Sequence, residues 1–155
     1  WFITRETGIK HSNVFRNLFN CESNSWKGFV RDGEEKMNLE ELAKIVERIY
    51  MMKIRKHKIK IDFMPRIYPS DIGRYYSDDT YSLGKKCCYS PYIVADIRPN
   101  GDVVFCKDYP DYILGNIKSD SFMSIWNNER ARYFRTVLKK LNKFPVCNRC
   151  CQLYI

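Results

Sequence analysis

Leu39, Leu42, Ile45, Val46 and Ile49 recur at three- and four-residue intervals, the period of a helix with one buried face, and predict a helix over residues 38 to 56. Asn38, followed three residues later by Glu41, supplies a start resembling a capping box. After a basic turn, Ile59, Ile61 and Phe63 alternate with polar residues until Pro65 interrupts, the pattern of a strand. Helix then strand is half of an α/β repeat. Upstream the pattern is fainter: a short strand at Trp1 to Thr4 and a helix around His11 to Phe19 are expected. Residues 66 to 86 carry Pro, Gly, Ser and Asp without periodicity and read as a long connection that holds a lobe boundary. Beyond it, YIVADI and DVVFC flank Arg98-Pro99-Asn100-Gly101, and Asn-Gly between two apolar runs predicts a hairpin. Residues 121 to 141 predict a helix capped by Asp120 or Ser121. Phe122, Ile125, Trp126, Tyr133, Phe134, Val137, Leu138 and Leu141 form its apolar side, and Pro145 closes it off.

Composition fits this picture of a packed core. The 155 residues are 45% apolar and 15% aromatic, too rich for a disordered chain. Lysine and arginine outnumber aspartate and glutamate by 27 to 18, and a net charge of +9 favours acidic partners. The densest basic run, KIRKHKIK at residues 53 to 60, is threaded by Ile54 and Ile59 and reads as the solvated end of a helix leading into a strand. No nucleic-acid motif accompanies it, so nucleic acid is not an expected partner. No apolar run is long enough to span a membrane and no leader precedes the first element, so a cytoplasmic location without membrane association is expected. The sequence opens on Trp1 in mid-pattern and reads as a piece of a longer polypeptide.

The seven cysteines change the picture most: Cys21, Cys87, Cys88, Cys106, Cys147, Cys150 and Cys151. In a reducing compartment such clustering points to metal rather than disulfides. Cys147 and Cys150 form a CxxC, whose two-residue gap lets both sulfurs face one ion or cluster. The predicted hairpin brings Cys87 or Cys88 level with Cys106, so four thiolates come from two distant segments. Four thiolates suit tetrahedral zinc or an iron-sulfur cluster, and spacing alone does not separate the two. Other candidates read as ordinary structure. Cys21 is expected as a small buried hydrophobe, His11 and His57 as surface histidines, Asp78 and Asp79 as solvated acids, and Phe122, Trp126 and Phe134 as core. No phosphate loop, nucleophile elbow or dinucleotide fingerprint is present.

The order Cys88, Gly101, Cys106, then Leu114-Gly115-Asn116-Ile117, Ile125-Trp126-Asn127, a helix, and Pro145-Val146-Cys147-Asn148-Arg149-Cys150 resembles the auxiliary-cluster region of radical SAM enzymes, called SPASM or, in its shorter form, twitch. The similarity covers about residues 85 to 155 and implies an α/β (α+β) fold. Residues 1 to 80 would be the C-terminal remnant of a partial (β/α) barrel, and residues 81 to 155 a small cluster-binding lobe with a β-hairpin and a helix. It further implies one auxiliary [4Fe-4S] cluster held by Cys88, Cys106, Cys147 and Cys150, with no catalytic residue in this part. Only Cys151 follows the CxxC, which fits the single-cluster twitch form better than full SPASM. The adjacent pairs Cys87-Cys88 and Cys150-Cys151 leave each ligand open by one residue, because neighbours along a strand point to opposite faces.

The CxxxCxxC that would hold the S-adenosylmethionine-cleaving cluster is absent from these 155 residues, so by this resemblance S-adenosylmethionine and its cluster belong to a preceding barrel. The resemblance implies electron relay or substrate anchoring within an oxidoreductase. Its partners would be that barrel, a peptide or protein substrate, and an electron donor such as flavodoxin or ferredoxin. The alternative from the residues themselves is a structural zinc module for protein or nucleic-acid interaction.

Overall fold

A computed structural model describes residues 3–30, 37–54 and 61–155, without the side chains of Lys53 and Ile54. Helix α1, Arg5–Phe19, runs well ahead of the expected start at His11. Thr4 caps it, its hydroxyl oxygen accepting the Thr7 N–H at 3.2 Å. Gly8, His11, Phe15 and Phe19 form its buried face. Asn20, in the left-handed region at φ 46°, ends the helix and turns the chain toward a 3₁₀ segment, Ser25–Phe29. Of the strand expected at Trp1 to Thr4, the described part is one parallel bridge between Ile3 and Val30.

Gly8 lies directly under the indole of Trp26, where an added Cβ would overlap the ring. The ring cannot readily move, because its N–H is shared between Ser12 Oγ at 2.7 Å and the Ser23 carbonyl at 2.9 Å. Gly8→Ala gains about 1 kcal/mol of helix propensity but overpacks a pinned contact, a change that costs about 1–3 kcal/mol. Thermal denaturation should therefore show a lowered Tm, by a few degrees, despite the better helix former.

Helices α2, Leu39–Ile54, and α3, Pro69–Ser77, pack on each other around Val46, Ile67, Ile72 and Tyr75. Asn38 caps α2, its Oδ1 accepting the Glu41 N–H at 3.1 Å. Two expectations fail here. Ile61 to Phe63 is irregular rather than a strand, the rest of that run and residues 55–60 of the basic stretch, His57 among them, lying outside the described residues. The stretch read as a structureless connection contains α3, with Pro69 in its first turn and the Asp71 carboxylate accepting the Tyr68 N–H at 3.3 Å. Nine residues with only Ile72 and Tyr75 buried are too short for periodicity to reveal a helix.

The hairpin forms at the predicted place. Strands β1, Asp96–Ile97, and β2, Asp102–Val104, pair antiparallel with Asp96 opposite Val104. The Gly101 N–H donates to the Arg98 carbonyl and the Arg98 N–H to the Asp102 carbonyl, both at 2.8 Å, with Gly101 at φ 95°. This is a three-residue loop in which glycine takes the left-handed position. A third strand, β3, Gly115–Asn116, pairs antiparallel with β2, giving the order β1-β2-β3 instead of an isolated hairpin.

The expected helix over 121 to 141 is two: α4, Phe122–Asn127, and α5, Glu129–Leu141. Asn128 separates them by using its amide twice, accepting the Ala131 N–H and donating to the Leu114 carbonyl, each at 2.8 Å. A side chain that competes with helix hydrogen bonds in this way ends one helix and caps the next. The architecture is mixed α+β with a small antiparallel sheet. Among the described residues no strand ladder other than this sheet occurs, so the expected barrel remnant is not seen in them. The main core joins Phe15 and Phe19 of α1 to Val103, Phe105 and Leu114 of the sheet region, to Phe134 and Leu138 of α5, and to Phe144 and Cys147. No helix among the described residues is long and apolar enough to cross a membrane.

Candidate metal centre

Three chain segments deliver thiols to one apolar cavity. The Cys88 N–H donates to the Asn142 carbonyl at 3.0 Å, tying the segment before the sheet to the turn after α5. Cys106 follows β2 and Phe105. After α5, Asn142 at φ 65° reverses the chain, and Pro145–Arg149 winds as a 3₁₀ turn carrying the CxxC. Cys88, Cys106, Cys147 and Cys150 all line this cavity, walled by Phe105, Leu138, Phe144 and Val146. Their mutual approach is also electrostatic: burial pushes the Cys106 thiol far up, and Cys147, Cys150 and Cys88 push it further. Burial likewise raises Cys147, to about 12, together with the neighbouring Cys88, and raises Cys150 and Cys88.

The backbone pulls the other way. The Phe144 N–H donates to Cys147 Sγ at 3.3 Å, and the amides of Ser90 and Gln152 favour the thiolates of Cys88 and Cys150. Lys143 adds positive charge beside Cys147. Buried thiols crowded together resist ionisation until a cation neutralises them, while amides aimed at sulfur stabilise the charged form once it exists. Soft donors with N–H···S bonds between apolar walls suit thiophilic metal.

Of the two adjacent pairs, Cys88 and Cys150 face the cavity. Cys87 does not line it, and Cys151 lies outside with its Sγ 3.7 Å from Asp108 Oδ2. Asp108, Cys150 and Cys151 form a second grouping, with ligand atoms all within 4.8 Å of one another. Cys150, whose Sγ is 3.6 Å from Asp108 Oδ2, belongs to both. Asp108 carries no motif and was invisible to spacing. Cys21 stands apart, half-buried, with its thiol directed at the Asp111 carbonyl at 3.2 Å.

Two residues read as solvated prove otherwise. His11, expected at the surface, is 1% exposed and lines the cysteine cavity, and burial drives its imidazole pKa down to about 4. Its position four residues before Phe15 and eight before Phe19 put it on the buried face, a signal the sequence did contain. Asp79 is half-buried and accepts the hydroxyls of Thr4 at 2.6 Å and Thr7 at 3.0 Å.

Between the two cysteines of the CxxC, Arg149 is 6% exposed and anchors the turn to the end of α3. Its guanidinium donates to the carbonyls of Tyr75, Tyr81 at 3.0 Å and Asp78 at 3.1 Å, and lies 4.1 Å over the Tyr75 ring. Asn148 adds a bond to the Asp79 carbonyl at 2.8 Å. The CxxC is thus held from behind, by its own intervening residues.

Residues 87–151 match the family model of the iron-sulfur cluster-binding domain SPASM. No curated protein and no solved structure matches the chain. The match runs from the Cys87-Cys88 pair through the hairpin to Cys151, and so encloses every thiol that lines the cavity. Residues 87–151 are accordingly similar to the SPASM iron-sulfur cluster-binding domains.

Proposed function

We propose that this chain is the C-terminal part of a radical SAM oxidoreductase, in which Cys88, Cys106, Cys147 and Cys150 ligate one auxiliary [4Fe-4S] cluster. The observation that carries this reading is the convergence of those four thiols on one apolar cavity inside the matched domain. Bound there, such a cluster supplies one-electron transfer or a Lewis-acidic iron at the wall of a substrate chamber. The protein's share is to hold and shield. Phe105, Phe144 and Val146 exclude water, the amides at Cys88, Cys147 and Cys150 fix the thiolates, and Arg149 keeps the CxxC turn in register. Residues 1–80 would be the end of the barrel that carries S-adenosylmethionine chemistry, residues 81–155 the cluster lobe, and a cytoplasmic peptide or protein the substrate class. A flavodoxin or ferredoxin would serve as electron donor.

Anaerobic reconstitution with iron and sulfide tests it. The expected product is brown and holds about four irons and four sulfides per chain, with a reducible signal by electron paramagnetic resonance. Uptake of one redox-silent zinc per chain, with no iron or sulfide, would replace this reading with the structural zinc module.

A further inference from the structure

The cysteine cavity contains polar atoms that the protein itself leaves without partners. Both ring nitrogens of His11 are buried and make no hydrogen bond, and neither does Ser90 Oγ, on a residue 2% exposed that lines the same cavity. Such groups normally find partners, because an unsatisfied buried donor costs about 1–3 kcal/mol. The His11 ring is instead clamped by aromatic rings: Phe15 at 4.3 Å, Tyr109 at 5.7 Å and Phe144 at 6.0 Å between centroids. None of these three residues hydrogen-bonds its nitrogens. What the cavity does collect is sulfur. Four thiols would satisfy the four irons, so a fifth group aimed at the same space has an outer role, donation of an N–H to sulfur.

We propose that His11 is a positioning and tuning residue for the cluster, its imidazole N–H donating a hydrogen bond to a cluster or thiolate sulfur, with the Ser90 hydroxyl as a second donor. The inference rests on the cluster assignment above and adds a residue from α1, outside the matched residues 87–151. It couples the N-terminal segment to the electronic properties of the cluster. A hydrogen bond to sulfur stabilises the reduced, more negatively charged state, so His11 raises the reduction potential. An imidazole ring supplies an N–H donor for such a bond.

The test uses the reconstituted 155-residue chain. First, iron and sulfide are measured; wild-type protein without them fails the cluster assignment itself, before His11 is at issue. With the cluster present, His11→Phe, which keeps an aromatic ring among Phe15, Tyr109 and Phe144, should retain iron. In a redox titration its oxidised-to-reduced ratio at the wild-type midpoint should rise several-fold, up to about tenfold, the equilibrium weight of one hydrogen bond. His11→Gln, which restores an N–H donor, should recover most of the shift. The wild-type chain needs no variant: with ¹⁵N-histidine, the reduced cluster should show a weak nitrogen coupling in pulsed electron paramagnetic resonance. There are only two histidines to assign it to. An unshifted midpoint in His11→Phe with full iron content overturns the proposal. So does a wild-type spectrum with no ¹⁵N coupling, or with the strong coupling of a directly ligated nitrogen.

Discussion

Cys106→Ser should reduce iron retained after anaerobic reconstitution to a small fraction of the wild-type value, while leaving the chain folded. Cys106 is the thiol that feels all three of the others, Cys147, Cys150 and Cys88, together with Asp108. Serine keeps nearly the same shape but not an ionisable soft donor, so it removes one ligand at the point where the segments meet. Serine is only slightly smaller than cysteine, so packing changes little, and circular dichroism should show unchanged helix content. Cys21→Ser is the control, because its thiol bonds the Asp111 carbonyl away from the cavity; it should keep its iron. Cys151→Ser reads the remaining ambiguity: retained iron places Cys150 alone in the cluster, and lost iron brings the Asp108–Cys150–Cys151 grouping into it. Full iron in Cys106→Ser would remove the four-thiolate assignment.

Arg149→Leu should be the most destabilising single change outside the thiols. The guanidinium is almost fully buried and satisfies the carbonyls of Tyr75, Asp78 and Tyr81 at the end of α3, with the Asp79 carboxylate 3.9 Å away. Leucine fills the space but leaves these acceptors without a donor and the end of α3 without its cation. Breaking a buried charged network of this kind costs about 3–5 kcal/mol. That corresponds to a Tm lower by on the order of 10 °C for a chain of this size. Arg149→Lys keeps the charge but reaches fewer carbonyls and should fall between the two. Because Arg149 sits inside the CxxC, iron uptake should fall with stability. A variant that melts with the wild type would show that the turn stands without its anchor.

Several features were legible because they are local. The Asn-Gly pair fixed the hairpin, since a tight turn needs a residue that tolerates positive φ, and Gly101 takes it. The apolar period placed α2 and α5. Other features were hidden for equally physical reasons. Asn128 broke one expected helix into two through a bond to Leu114, a partner that sequence does not announce. Helix α3 has too few turns to show a period, and β3 is two residues long. His11 looks like a surface residue in the sequence because its adjacent residues are polar, although its helical neighbours Phe15 and Phe19 are not.

The available chemistry was written in the chain: seven thiols, a CxxC and a hairpin that brings Cys87 or Cys88 level with Cys106, because ligand type and short spacing are local properties. Tertiary structure decided which sulfurs share a cavity, which of two adjacent cysteines faces it, and that His11 joins them. Those outcomes depend on α1, the segment before the sheet and the chain after α5 closing on a common core from positions more than a hundred residues apart. Closure over such distances is driven by the collective burial of apolar side chains, and no single segment encodes it.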